Sequence, residues 1–281
     1  MTDAPAGPPD SLVVGMPHPG LRPWVDRYLG YREHAARPLV RRQAAGAFVV
    51  LILGWGDPLD VVDPRCATRG AYRVDSFVAG TFDGYCHTRT VGVGTGVELL
   101  LTPPAARRIL GLPLRELTNR AVDVAQLPGG WLTRLRDRLA EASDWPRRFA
   151  LLDAALAARL GAAEPVDPRL DRAWQRLTDT DGRIGVATLA AELGWSRRHL
   201  SVLFHREVGL PPKTTARLLR FQRAYATATA PGTGVDRAGW AVLAARCGYF
   251  DQSHLIRDFH EFAGARPTEL LVTGSHPSNP G

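Results

Sequence analysis

The last third of this chain repeats itself, and no other feature constrains its fold as much. Leu189-Ala190-Ala191-Glu192-Leu193-Gly194-Trp195 is followed by Leu200, Phe204, Gly209 and Pro212. Leu243-Ala244-Ala245-Arg246-Cys247-Gly248-Tyr249 is followed by Leu255, Phe259, Gly264 and Pro267. The copies lie 54 residues apart up to the aromatic residue after the glycine and 55 apart beyond it, so one residue, near Phe250, has been added to the second turn. In each copy a short apolar series stops at a glycine and a second series starts after a capping residue. That is the pattern of helix, tight turn, helix.

In the first copy Val186 to Leu193 is expected to be the supporting helix, with Ala190 small where the partner helix passes closest. Gly194 makes the turn, and Ser196 is a good N-cap for a second helix over 197–208. Leu200, Phe204 and Val208 recur every four residues and fix its buried face, which turns Arg197, Arg198, Ser201 and His205 outward. In the second copy Asp251 caps a helix over 252–262 that buries Leu255, Phe259 and Phe262 and turns Gln252, Ser253, Ile256 and Arg257 outward or nearly so. Arginine pairs with guanine or phosphate, glutamine with adenine, and isoleucine packs on a thymine methyl, so both outward faces suit the major groove of DNA. The plain alternative for each position is solvated helix surface. Lys213 to about Ala230 reads as one connecting helix, ended by Pro231-Gly232. Its length, roughly 25 Å, can set two probes about one turn of B-DNA apart, some ~34 Å centre to centre.

Charge agrees with that reading. The chain carries a net +7, and residues 183–270 hold 12 Lys+Arg against 7 Asp+Glu. Only Lys213 among the basic residues is not arginine, which reads as codon composition rather than chemistry chosen site by site. Three cysteines, Cys66, Cys86 and Cys247, are odd in number and far apart, so neither a disulfide framework nor a structural zinc site is expected, and a reducing cytoplasm fits. No apolar run approaches the ~20 residues of a membrane span, so no membrane partner is expected. Residues 1–10 read as a disordered leader without the features of a signal peptide, and 272–281 as a disordered tail.

The expected fold is α+β in two domains. Residues 11–161 should form a β-rich domain, a cupin-like barrel or sandwich, with a helical hairpin. Residues 162–168 should be a linker, and 169–271 an all-α domain with two helix-turn-helix units. Within the first domain, residues 10–40 read as irregular because prolines interrupt them. Strands are expected from Ala47 to Trp55, Leu59 to Val62, Val74 to Ala79, Cys86 to Val91 and Gly96 to Leu101. Gly92-Val93-Gly94-Thr95-Gly96 reads as a hairpin turn, not a phosphate loop, since no lysine follows. Gly130 to Ala142 and Trp145 to Leu160 are amphipathic and should pair as a hairpin against the strands or in a dimer interface. Metal-binding barrels of this kind need two histidines and a carboxylate close together, and the strands offer only His87. No catalytic residue, metal or cofactor is therefore expected. If the β domain binds an effector, Arg73, Asp75, Tyr85, His87, Arg89 and Glu98 are candidate lining residues, although strand alternation equally turns them to solvent.

The doubled unit resembles the AraC/XylS family of bacterial transcription regulators. The resemblance rests on Gly248-Tyr249-Phe250-Asp251-Gln252-Ser253-His254-Leu255, Arg257, Phe259, Gly264 and Pro267. In the first copy it rests on Leu189-Ala190, Ser196-Arg197-Arg198-His199-Leu200, Phe204, Gly209, Pro212-Lys213, Arg217 and Arg220-Phe221. It covers about residues 168–271. It implies a seven-helix DNA-binding domain that recruits or positions RNA polymerase. By position it places base contacts on Arg198, Ser201 and Val202, then on Gln252, Ser253, Ile256 and Arg257. Val202-Leu203 departs from the Arg or Lys common there, so the first probe should lean on Arg197, Arg198 and apolar contact. The expected function is that of a cytoplasmic, sequence-specific transcription factor on double-stranded promoter or operator DNA, an activator whose N-terminal domain senses a small effector or mediates homodimerisation. The alternative is an effector-independent regulator whose N-terminal domain serves only dimerisation or protein contacts.

Overall fold

The computed structural model describes residues 10–230 and 239–273. The expected leader up to Pro9, the Pro231-Gly232 stop and the tail from Gly274 onward lie outside the described residues. The N-terminal half is one antiparallel sheet of β1 (Ser11–Gly15), β2 (Val25–Gln43), β3 (Val49–Gly54), β4 (Leu59–Val62), β5 (Ala71–Val74), β6 (Phe77–Ala79), β7 (Cys86–Leu101) and β8 (Ala121–Asp123). The strand order is β1-β2-β7-β3-β6-β8, and β4 leaves this path to pair with β5 and β7.

The strands differ from expectation, and Val74 to Ala79 is divided between β5 and β6. Residues 10–40 are not irregular but hold β1 and most of β2. Pro38 is tolerated because it falls where the β2–β7 register breaks, between Ala35 and Leu39, and there no ladder N–H is needed. The Gly92 to Gly96 segment is not a turn but the middle of β7, which is one strand where two were expected. Its glycines stand opposite Ala35, Glu33 and Tyr31 of β2, so pairing with a long neighbour overrides their weak strand preference.

Strand alternation gives the sheet two unlike faces. Val49, Leu51, Leu53, Val97, Leu99 and Leu101 are fully buried on one face. They share a core with Ile109 of α1 (Pro103–Leu110), Leu135 of α2 (Trp131–Glu141) and Leu152 and Leu156 of α3 (Trp145–Gly161). Helices α2 and α3 thus form the expected hairpin against the sheet. A single tight turn over Leu114–Leu117 follows α1. The opposite face, with Ile52, Phe77 and Ala79, joins the core of the C-terminal domain.

That domain comprises α4 (Pro168–Asp179), α5 (Val186–Glu192), α6 (Arg197–Val208), α7 (Pro212–Thr229), α8 (Gly239–Arg246), α9 (Gln252–Ala263) and α10 (Pro267–Thr273). Its centre is aromatic: the Phe221 and Phe259 rings meet edge to face with centroids 5.1 Å apart, and Trp240 approaches Phe259 at 6.1 Å. Cys247 is buried in this core, in the position Leu193 fills in the first unit. Such geometry adds specificity to a large burial of apolar area. Among the described residues no helix is long and apolar enough to cross a membrane.

Candidate nucleic-acid interface

The two units are built alike at the turn. Gly194 (φ +68°) and Gly248 (φ +76°) take the left-handed conformation that only glycine adopts without strain. After each turn the backbone N–H folds back onto the supporting helix, from Trp195 to the Ala190 carbonyl and from Tyr249 to the Ala244 carbonyl, both at 2.9 Å. Ala190 and Ala244 are both buried at the helix crossing. Ser196 caps α6 by accepting from the His199 N–H at 3.1 Å, and Asp251 caps α9 by accepting from the His254 N–H at 2.7 Å. Each cap fixes the rotation of its helix and therefore which side chains leave the protein.

Arg197, Arg198, Val202 and His205 are exposed on α6, and Ser201 is half-buried. On α9 Ser253 and Arg257 are exposed, while Gln252 and Ile256 are half-buried. Ile256 packs its inner edge on the core, so it presents less surface than an outward residue would. His205 lies in the last turn of α6, away from the N-terminal end that carries the two arginines. Val202 is 64% exposed, which leaves an apolar side chain at the position Arg257 fills in the second unit.

Ion pairing separates these arginines from their neighbours. Arg217 of α7 is bound to the buried Asp258 at 2.7 Å and to Glu261 at 2.6 Å. Burial works against its charged form, but the two carboxylates hold the guanidinium protonated more firmly than usual. Arg223 pairs with Asp181 and Arg176 with Glu192. Among the described residues Arg197 and Arg198 enter no salt bridge, and the Arg257 guanidinium reaches only the Ser253 carbonyl, at 3.4 Å.

Sequence reasoning missed how the β domain holds the far ends of both α6 and α9. At the end of α6 the buried Glu207 pairs with Arg107 of α1 and with Arg206. The Thr118 hydroxyl donates to the Gly209 carbonyl at 2.5 Å, and the Thr81 hydroxyl to the Val208 carbonyl at 3.3 Å. At the end of α9 the Ala45 N–H donates to the Phe262 carbonyl at 2.8 Å. Gly264 lies so close to Tyr85 that a Cβ would come within 2.7 Å of its ring. One signal was visible: Glu207 stands where Phe262 stands in the second copy, an acid at an inward helical position.

The inner face of the β sheet encloses a cavity of about 360 Å³. Of the six candidate lining residues, Asp75 and Glu98 border it and the other four do not. Arg89 is exposed beside Asp60, and Arg73 lies in a left-handed kink (φ 55°). The Tyr85 and His87 rings meet edge to face, centroids 5.5 Å apart, with Tyr85 against Gly264. Odd positions on β7 such as 87 and 89 face away from the side that Glu98 occupies. Among the described residues no group of three or more His, Cys, Asp or Glu is placed to hold a metal ion.

Residues 189–272 match the family model described as a helix-turn-helix domain. No curated protein matches the chain. ToxT from Vibrio cholerae has a similar structure, with a TM-score of 0.50 at 10% identity, covering 89% of this chain and 98% of its own. A probable AraC family transcriptional regulator from Rhodopseudomonas palustris CGA009 is 23% identical, covering 39% of this chain and 100% of its own, with a TM-score of 0.34. ToxT from Vibrio cholerae strain SCE256 bound to an unsaturated fatty acid is 10% identical, covering 89% and 97%, with a TM-score of 0.45. The chain thus has a two-domain fold like that of ToxT, and its helix-turn-helix match spans both copies of the repeat.

Proposed function

We propose that α6 and α9 enter successive major grooves of a promoter or operator, and that residues 169–271 are the reading domain of an activator whose β domain, residues 11–161, binds a small effector. The observation that carries the DNA reading is the pair of matched N-caps presenting Arg197, Arg198, Gln252, Ser253 and Arg257 while nearby arginines are tied to carboxylates. The connecting helix α7 has 18 residues, which is roughly 27 Å of rod between the units. Selection from a pool of randomised duplexes tests this. The expected product is a bipartite site with two elements about 10 base pairs apart centre to centre. A single short element, or no enriched sequence, would refute the two-probe reading.

The cavity supports an effector over a β domain that serves dimerisation alone, because its volume lies in the range of small-molecule sites. As an activator the protein would contact RNA polymerase, and the β domain would also carry any homodimer contact. Transcription in vitro from a promoter holding the selected site should rise when the protein is added. A fall would make it a repressor and leave the DNA reading intact.

A further inference from the structure

The cavity is a product of strand register, and its lining selects a charge. Thr88, Thr90, Gly92, Gly94 and Glu98 border it along β7, opposite Tyr31, Glu33 and Ala35 of β2. The glycines remove side chains from the floor, and a Cβ on Gly96 would come within 2.8 Å of the Tyr31 hydroxyl. A smaller cavity of about 80 Å³ adjoins the first and shares Gln43, Ile52, Thr88 and Glu98 with it.

The chain is basic, yet five carboxylates line the larger cavity against two guanidiniums, Arg32 and Arg41. Arg41 is paired with Glu33, and Arg136 reaches Asp75 from outside the lining. Glu98 stands in a cross-strand row between Leu29 on one side and Ile52 and Phe77 on the other, so its immediate cross-strand neighbours are apolar. It is also the one charged residue bordering the smaller cavity, whose walls include Phe48, Phe77 and Phe82. Burial chiefly, and then the nearby Glu98 and Asp75, pushes the Tyr31 phenol above its ordinary range.

We propose that the joined cavities are a site for a small organic cation with an apolar body, an amine whose ammonium sits over Glu98 beside Tyr31 and whose hydrocarbon part fills the pocket of Phe48, Phe77 and Phe82. An anion placed there would meet the Glu98 carboxylate and find Arg41 already paired with Glu33, leaving Arg32, which reaches the Thr95 hydroxyl at 3.4 Å, as the lining guanidinium outside that pair. A fully polar neutral ligand would leave the aromatic pocket unfilled. A half-buried carboxylate is stabilised by a cation at hydrogen-bond distance. The apolar end would lie at the domain seam, because Ala45 and Phe82 border the smaller cavity and belong to the core that contains Phe259 and Phe262 of α9. This inference rests on the effector reading above.

Three isosteric probes separate the possibilities: 4-phenylbutylamine, 4-phenylbutan-1-ol and 4-phenylbutyrate, titrated calorimetrically into the full-length protein. The amine should bind at least about tenfold more tightly than the other two. Glu98→Gln should weaken the amine about tenfold and leave the alcohol unchanged. Equal or tighter binding of the alcohol or acid, or no binding of any probe by protein that still binds its operator, would overturn the proposal. The wild-type comparison stands even if the variant fails to fold. Amine binding with unchanged operator affinity would keep the site and refute the effector reading. A shift in operator affinity caused by the butyrate alone would do the opposite.

Discussion

The two helix-turn-helix units share their backbone and differ in what stands behind them. Both have a left-handed glycine in the turn, an oxygen cap on the recognition helix and a left-handed glycine at its end. Behind α9 lies the domain's own aromatic core of Phe221, Tyr225 and Trp240. Behind the end of α6 lies the β domain, joined to it through the Glu207–Arg107 ion pair and two threonine hydroxyls. The β domain touches α9 as well, but there through a backbone hydrogen bond and the glycine–tyrosine contact. A recognition surface can thus be duplicated while its coupling to the rest of the protein is not. Both helices are packed on apolar side chains, but the buried ion pair of the second unit, Arg217–Asp258, lies within the helical domain, whereas that of the first, Arg107–Glu207, crosses the domain boundary.

Substitutions in equivalent places break or sharpen that contrast. The largest effect should come from Arg217→Ala, which leaves Asp258 buried without its cation and should cost about 3 kcal/mol or more of stability. Urea denaturation measures it, and a variant as stable as the parent would show that packing alone holds the second unit. Arg198→Ala and Arg257→Ala should each cost about 1–3 kcal/mol of operator binding and relax one base pair, with stability unchanged. If titrations with operator and random DNA show neither change, the assigned reading faces are wrong.

Arg107→Ala should cost less than Arg217→Ala, about 1–2 kcal/mol, because Glu207 keeps Arg206. It should act at the domain boundary, so limited proteolysis between α3 and α4 should accelerate while the helical domain stays folded. Ser196→Ala and Asp251→Ala should each lower thermal stability by about 1 kcal/mol, and unequal losses would show that the units do not lean equally on their caps. The smallest effect is expected from Val202→Arg, which copies Arg257 into the first unit. It should steepen the salt dependence of DNA binding by about one phosphate contact with little loss of stability.

The helical domain was legible because its signals are local. Ser196 before 197–208 and Gly209 after it bound α6 where the spacing put it, and α9 runs one residue past the expected end, to Ala263. The outward positions followed from a buried face repeating every four residues. The β domain was legible only in outline. Pro38 and the Gly92–Gly96 run look like breaks when read alone, and they sit inside long strands because each is paired with a neighbour distant in sequence. The same dependence explains the partial recovery of the cavity lining. Asp75 and Glu98 border it, but which face an alternating strand turns inward is set by register with β2 and β3.

By itself the sequence determined two capped helix-turn-helix units, a basic domain to carry them and a β-rich partner, since caps, helical periodicity and charge act within a few residues of one another. The tertiary structure alone decided that the β domain grips both recognition helices by their C-terminal ends. It also decided that Glu207 is buried against Arg107, and that Gly92, Gly94 and Glu98 border one cavity on the β sheet. Those features join residues tens of positions apart, and only a particular strand register and domain docking brings them together.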